Sequence, residues 1–297
     1  MKQKMVAMRT ISMVAMLLFC GIFVGVKVPQ KAMAKSYQKV ESYGKTVKAG
    51  SYYFKIDSSG VYYGKSSSSL KVIKSAINTS NCYTDGKILW CLYEAKKTPR
   101  IGRFNLKNGK MKFVKKLPYK KSKSDQDAYS IESFQGDYMY IYRGSFESWK
   151  HWLCVYNVKK KTWKQYANVE VMGSIGKYAF VSHDYRTDVS PVKGSLYTIS
   201  GDQVTKIKEL GNYVTWIGVY KKQFLYAEYT TNTMEECNIY KLSKDGKTSE
   251  KIGSFHGAES ESSVYAYLSE KKNRIVINLG NTVYYYNLSN GILKQKK

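Results

Sequence analysis

Few side chains in this 297-residue sequence are spaced for catalysis. The three histidines, His151, His183 and His256, lie far apart, and no Gly-x-Ser-x-Gly motif supplies a nucleophile for them. His183 and Asp184 with Asp188 form a partial metal-ligand set, but nothing in the sequence specifies a third or fourth ligand. We therefore predict no catalytic residue, no metal site and no cofactor.

Aromatic and basic residues in four long segments are the candidates for ligand binding. The segments are residues 115–127, 143–151, 183–194 and 229–236. An exposed Trp or Tyr beside Lys, Asp or His can stack on a sugar ring and hydrogen-bond its hydroxyls. The predicted ligand-binding residues are Trp149, Trp152, Tyr185, Lys120 and Lys121. The alternative is that Trp149 and Trp152 only pack their loop onto the neighbouring strands.

The charge of the chain points to anionic partners. The formal net charge is +27, and the basic residues are 43 Lys and 6 Arg. Lysine is a hydrated point charge suited to diffuse attraction, whereas bidentate phosphate recognition favours arginine, so nucleic acid is not the expected partner. Wall teichoic acids, lipid head groups or acidic glycans outside a bacterial cell fit better. The alternative is that the lysines only keep the surface soluble.

A strand that ends in a short turn is repeated six times. The shared aromatic positions are Tyr63, Phe104, Tyr156, Tyr197, Tyr240 and Tyr286. Their spacings of 41, 52, 41, 43 and 46 residues match one four-stranded unit per repeat. The sequence therefore predicts an all-β fold, a β-propeller of about six blades, with the six aromatics at equivalent sites on the third strand of each blade. A β-sandwich, or a sheet array that does not close, is the alternative.

A second hairpin precedes the aromatic strand in several repeats. Asp85-Gly86, Gly136-Asp137 and Gly176-Lys177 are suited to tight turns between strands. In residues 138–142, tyrosines alternate with Met139 and Ile141, which predicts a strand buried on both faces.

The repeats also resemble a known family. The pattern Gly-x-aromatic-aromatic followed by Leu/Ile-Tyr-x-Leu-x-x-x-Gly-x is similar to secreted bacterial propellers related to the YWTD repeats of low-density-lipoprotein receptors and to TolB-like propellers. The resemblance covers roughly residues 50–297, and no blade carries a literal Tyr-Trp-Thr-Asp. It implies a binding or scaffold module.

The N-terminus is typical of a signal peptide. A basic start is followed by an apolar stretch over residues 11–26 and by Ala32-Met33-Ala34, which predicts cleavage before Lys35. The predicted organisation is a signal peptide over residues 1–34, an N-terminal arm over 35–49 and a propeller domain over 50–297. An uncleaved anchor is the alternative, although the apolar stretch is shorter than the roughly 20 residues of a spanning helix. Phe19 argues against lipid attachment at Cys20, because that signal needs a small residue there.

Four cysteines remain after the predicted cleavage, and this even number permits two disulfides in an exported protein. They are Cys82, Cys91, Cys154 and Cys237. All four lie in apolar strand patterns, and a turn at Asp85-Gly86 is expected to place Cys82 opposite Leu89, diagonal to Cys91. We therefore predict buried thiols rather than disulfides.

These features favour a secreted or envelope-associated, non-enzymatic binding or scaffold module for an anionic cell-wall polymer, a glycan or a protein. No membrane span is expected after cleavage. An extracellular glycan-active enzyme and a membrane-tethered sensory ectodomain are the alternatives. For an enzyme, any carboxylate pair would serve, for example Asp188 with Glu236, and spacing selects none. Carboxylates converging in a central pocket would favour it over binding alone.

Overall fold

The structure is a computed structural model that describes most of the chain after residue 35. The described residues are 36–40, 44–57, 59–73, 81–95, 98–118, 127–145, 150–183, 193–211, 213–229, 236–256, 264–279 and 282–296. The predicted signal peptide lies outside them and stays a prediction.

The strands form six antiparallel sheets, numbered here as blades in chain order. Blade 1 contains β2 (Thr46–Ala49), β3 (Tyr52–Asp57), β4 (Gly60–Ser66) and β5 (Ser69–Ile73). Blade 2 contains β6 (Cys82–Thr84), β7 (Ile88–Ala95), β8 (Thr98–Asn105) and β9 (Lys110–Lys116). Blade 3 contains β10 (Asp127–Gln135), β11 (Tyr138–Ser145), β12 (His151–Asn157) and β13 (Trp163–Ala167).

The second half of the chain repeats this arrangement. Blade 4 contains β14 (Glu170–Ile175), β15 (Tyr178–His183), β16 (Lys193–Ser200) and β17 (Gln203–Gly211). Blade 5 contains β18 (Val214–Tyr220), β19 (Gln223–Tyr229), β20 (Glu236–Ser243) and β21 (Ser249–His256). Blade 6 contains β22 (Val264–Ser269), β23 (Arg274–Leu279), β24 (Thr282–Asn287) and β25 (Leu293–Gln295), with a 3-10 turn at Glu270–Lys272.

Within every blade the four strands pair in chain order, which is the meander of a propeller blade. The fold is therefore a six-bladed β-propeller, as the repeat predicted. The segment expected to be an N-terminal arm contributes to two blades. Residues 46–49 form the first strand of blade 1, and β1 (Gln38–Val40) pairs with β6 as an additional strand of blade 2.

The predicted tight turns join the first and second strands of their blades. Gly86, Gly136 and Gly176 adopt φ values of 83°, 57° and 61°, a region that glycine enters at little cost. The strand β11 is buried on both faces, as its alternation predicted. Met139 and Ile141 pack toward blade 2, whereas Tyr140 packs toward blade 4.

The core consists of apolar clusters between successive blades, and the repeated aromatics belong to them. All six lie on the third strand of their blade, as predicted. Five pack in clusters shared with the preceding blade. Tyr63 instead packs toward the following blade, where its ring meets the Phe104 ring edge-on at 4.8 Å. The expectation of six equivalent sites is therefore wrong for blade 1.

The four cysteines of the described chain are buried thiols, as predicted. The predicted register around them is wrong. Tyr83 pairs with Trp90 and Thr84 pairs with Leu89, so Leu89 does not face Cys82. The turn residues are Gly86 and Lys87 rather than Asp85 and Gly86, which moves the partner of every residue in β6.

None of the residues that the structure describes forms a helix long and apolar enough to cross a membrane.

Candidate functional site

A cavity of about 390 Å³ lies between blades 3 and 4. Tyr140 and Tyr142 line its blade 3 side, whereas Trp152 and Tyr178 also border it but pack in the clusters on the far faces of blades 3 and 4. Polar groups also line it, namely Glu132, Ser133, Gln135, Glu170, Ser174 and Lys177. Aromatic walls with a few convergent polar groups are typical of a small-molecule or sugar site.

The two acidic residues of the cavity, Glu132 and Glu170, lie on the first strands of blades 3 and 4, and both strands are irregular. The register of β10 shifts between Ile131 and Ser133, so Glu132 is the extra residue of a β-bulge. The Tyr83 hydroxyl of blade 2 donates a hydrogen bond to the Glu132 carbonyl, which fixes the bulge from the neighbouring blade. Glu170 is the first residue of β14, which carries a second bulge two residues later.

The two glutamates differ in environment. Glu132 is exposed, whereas Glu170 is half-buried and its Oε2 makes no hydrogen bond to the described residues. Burial raises the pKa of Glu170 above the ordinary carboxyl value, and repulsion by Glu132 raises it further. The raised pKa lets the Glu170 carboxyl group hold its proton to higher pH, and in that form it can donate a hydrogen bond.

A buried ion pair holds Trp152 in place. The Arg143 guanidinium donates to both Asp127 carboxylate oxygens, at 3.2 Å from Nε and 3.1 Å from Nη2. The same guanidinium lies 4.2 Å from the centre of the Trp152 ring. Because the bidentate bond fixes the guanidinium plane, the stacked indole is also restricted.

Of the predicted ligand-binding residues, the structure describes Trp152 alone. It borders the cavity, but its ring packs against the core between blades 2 and 3 and on Arg143, so its role in binding stays a prediction. Trp149, Tyr185, Lys120 and Lys121 lie outside the described residues, and their role stays a prediction.

Sequence reasoning missed Asp127, Arg143, Glu132 and Glu170. Asp127 is the last residue of one segment singled out for binding and Arg143 is the first residue of another, and a charged residue beside an apolar strand was the available signal. Nothing in the sequence marked the two glutamates. The part of the chain that the structure describes holds no group of three or more His, Cys, Asp or Glu side chains placed to bind a metal.

Exposed basic residues occupy the last hairpins of blades 2 and 3, on β8, on β9 and in the turns that follow β8 and β12. We define the basic rim as Arg103, Lys107, Lys110, Lys112, Lys159, Lys160 and Lys161. Arg103 and Lys112 are directly opposite each other on β8 and β9. No rim side chain forms an ion pair with a carboxylate of the described residues. Like charges that face each other across a strand pair are destabilising, so the rim favours a counter-ion.

No family model and no curated protein matches this sequence. The structure is similar to an oligogalacturonate lyase solved in complex with manganese, with 12% identity and a TM-score of 0.48 over 80% of this chain and 70% of that one. It is also similar to an uncharacterized protein from Listeria monocytogenes EGD-e, with 11% identity and a TM-score of 0.45 over 88% and 82%. A putative 6-phosphogluconolactonase from Bacteroides fragilis NCTC 9343 matches with 9% identity and a TM-score of 0.39 over 85% and 82%. Likeness at this level says nothing about the ligand of this chain.

Proposed function

We propose that this chain is an exported, envelope-associated binding module that recognises an anionic polymer through its basic rim without catalysing a reaction. The observation that carries the proposal is the facing pair Arg103 and Lys112, two like charges without a carboxylate partner among the described residues. A polymer that places phosphate or carboxylate groups along this edge would relieve their repulsion.

The cavity between blades 3 and 4 indicates which part of that polymer could enter it. The tyrosines Tyr140 and Tyr142 suit a sugar ring, whereas Glu132 and Glu170 would repel an anionic group. We therefore infer an anionic glycan in which a neutral or amine-bearing sugar enters the cavity. The anionic groups of the same glycan would then lie over the basic rim.

Charge reversal on the rim tests the proposal. The variant K107E/K110E/K112E changes the net charge by −6 at three exposed positions of blade 2. The control K244E/K251E/K294E makes the same change at exposed positions of blades 5 and 6. Retention on purified cell walls would be measured for both at 0.01 M and 0.15 M salt, where the screening length is about 30 Å and about 8 Å.

We expect the rim variant to bind about tenfold more weakly than wild type at low salt, which corresponds to about 1.4 kcal/mol. The control should lose much less. An equal loss in both variants would assign binding to net charge rather than to the rim. Unchanged retention in the rim variant would assign the lysines to solubility and contradict the proposal.

A second candidate, a glycan-active enzyme, is favoured by one observation. Glu132 and Glu170 line the same cavity, and the pKa of Glu170 is raised by burial and by Glu132. A carboxyl group with a raised pKa beside a second carboxyl group suits general acid–base cleavage of a glycosidic bond. The test measures new reducing ends released from cell-wall polysaccharide. Release by wild type and by the exposed control E209Q, but not by E132Q or E170Q, would support an enzyme. Absence of release by the wild-type protein would contradict it.

A further inference from the structure

Two of the buried cysteines face each other across one hairpin. In this hairpin β6 and β7 pair Thr84 with Leu89 and Tyr83 with Trp90. Continuing the antiparallel register by one residue places Cys82 opposite Cys91.

Both cysteine side chains also point to the same face of blade 2. Cys82 and Cys91 belong to the cluster between blades 1 and 2, together with Phe54 and Leu89. The intervening Tyr83 and Trp90 belong to the cluster on the other side, between blades 2 and 3. Each of the two thiols is fully buried, and their charged forms repel each other strongly enough to raise the pKa of Cys82 further.

The hydrogen-bond pattern of the hairpin makes this position suitable for a covalent link. The Asp85 amide donates to the Ile88 carbonyl at 3.3 Å, so residues 85 and 88 form a hydrogen-bonded pair. Pairs alternate along an antiparallel ladder, which makes the pair of Cys82 and Cys91 a non-hydrogen-bonded one. In such pairs the Cα atoms are about 4.5 Å apart and the Cβ atoms are closest, within the range that a disulfide spans.

We propose that Cys82 and Cys91 form a cross-strand disulfide when the protein folds in the presence of a disulfide oxidant. One cysteine thiolate attacks a sulfur of the oxidant, R–S–S–R, and gives a mixed disulfide while one RS⁻ leaves. The second cysteine thiolate then attacks the protein sulfur of the mixed disulfide, forms the Cys82–Cys91 bond and displaces the second RS⁻. The two cysteine protons end on the two released thiols, and the two electrons have passed to the oxidant.

Burial restricts when this reaction can occur. Burial raises the pKa of Cys91 to about 12 and that of Cys82 well above its ordinary value, and neither side chain is accessible in the fold. Since the thiolate is the attacking species, the folded dithiol reacts very slowly with an oxidant. The bond therefore forms before β6 and β7 are covered, and the folding environment sets the redox state. Export matters to the proposal only as the source of an oxidising environment.

Peptide mapping tests this directly. The protein without residues 1–34 would be unfolded, refolded with either a glutathione and glutathione-disulfide mixture or dithiothreitol alone, alkylated and digested with trypsin. Lys87 separates the two cysteines, so the disulfide would join the peptide of residues 75–87 to that of residues 88–96. Cys154 and Cys237 are internal controls, because Ile141 and Gln165 flank the first and Tyr229 and Phe255 flank the second. A C154A/C237A variant restricts any intramolecular disulfide to the proposed pair.

We expect the joined peptide only after refolding with glutathione disulfide, with Cys154 and Cys237 alkylated. The oxidised protein should melt roughly 5 °C higher than the reduced one, because the bond restricts the unfolded chain and closes only a short loop. Alkylated Cys82 and Cys91 in protein refolded with the oxidant would overturn the proposal. A joined peptide in a chain that has lost its β-sheet circular dichroism would also overturn it, because the native register would then not accept the bond.

Discussion

Asp127→Asn removes one partner of a buried ion pair and leaves the other charge in place. Asp127 and Arg143 have side chains that are only 4% and 11% exposed, and two hydrogen bonds join them. Asparagine keeps the shape of aspartate, but it cannot balance the guanidinium charge. Arg143 lies over Trp152 at 4.2 Å and would remain enclosed without a counter-ion.

The expected loss follows from that burial. Leaving one charge of a buried pair without its partner costs about 3–5 kcal/mol of unfolding free energy, whereas breaking an exposed pair costs less than about 1 kcal/mol. In a domain of this size, 4 kcal/mol lowers the melting temperature by about 10 °C. The matched control is Glu209→Gln, since Lys206 and Glu209 form a 3.6 Å pair with side chains 48% and 58% exposed.

Urea unfolding followed by tryptophan fluorescence and by circular dichroism would measure both variants. The double variant D127N/R143M removes both charges and should recover part of the loss, because no charge then remains buried. A free energy of unfolding for D127N within about 1 kcal/mol of the wild-type value would refute the reasoning. It would mean that water or other groups already solvate Arg143.

Three further outcomes are expected. Because the pKa of Glu170 is raised, the folded state keeps a proton that the unfolded state loses, and stability falls as the pH rises above the ordinary carboxyl pKa. The E170Q variant should therefore have a higher melting temperature than wild type at pH 7 and the same melting temperature at pH 4. In Gly173→Ala the added Cβ would overlap the Trp216 indole, and calorimetry should show a loss of about 1–3 kcal/mol. Mass spectrometry of the exported protein should find Lys35 at its N-terminus, whereas Met1 would indicate a retained anchor.

The fold was predictable because its signals are local and repeated. Turn glycines such as Gly136 and an aromatic on each third strand recur at blade spacing, and both depend only on neighbouring residues. Side-chain direction was less predictable. Blade 1 has tyrosines at both 62 and 63, and choosing between adjacent residues decides which face of the strand an aromatic occupies. The partner of Cys82 was misassigned for a similar reason, since it depends on which two residues form the turn.

The candidate site was the least predictable part, because it depends on residues from different blades. Glu132 lines the cavity through a β-bulge, and the hydroxyl that fixes this bulge comes from Tyr83, 49 residues away along the chain. Glu170 meets it from the next blade. Trp152 was selected for its residue type, but its stacking on Arg143 depends on the pairing of β11 with β12. Contacts between residues of different blades cannot be read from their spacing along the sequence.

The pairing of β1 with β6 fixes an order of events in folding. The partners of Gln38 and Val40 are Thr84 and Cys82, so β1 stays unpaired until a strand about 45 residues further along the chain is in place. Docking of β1 then covers an edge of blade 2 that would otherwise attract strands of other molecules. The N-terminal strand thus acts late, as a cap on a blade that follows it in the chain.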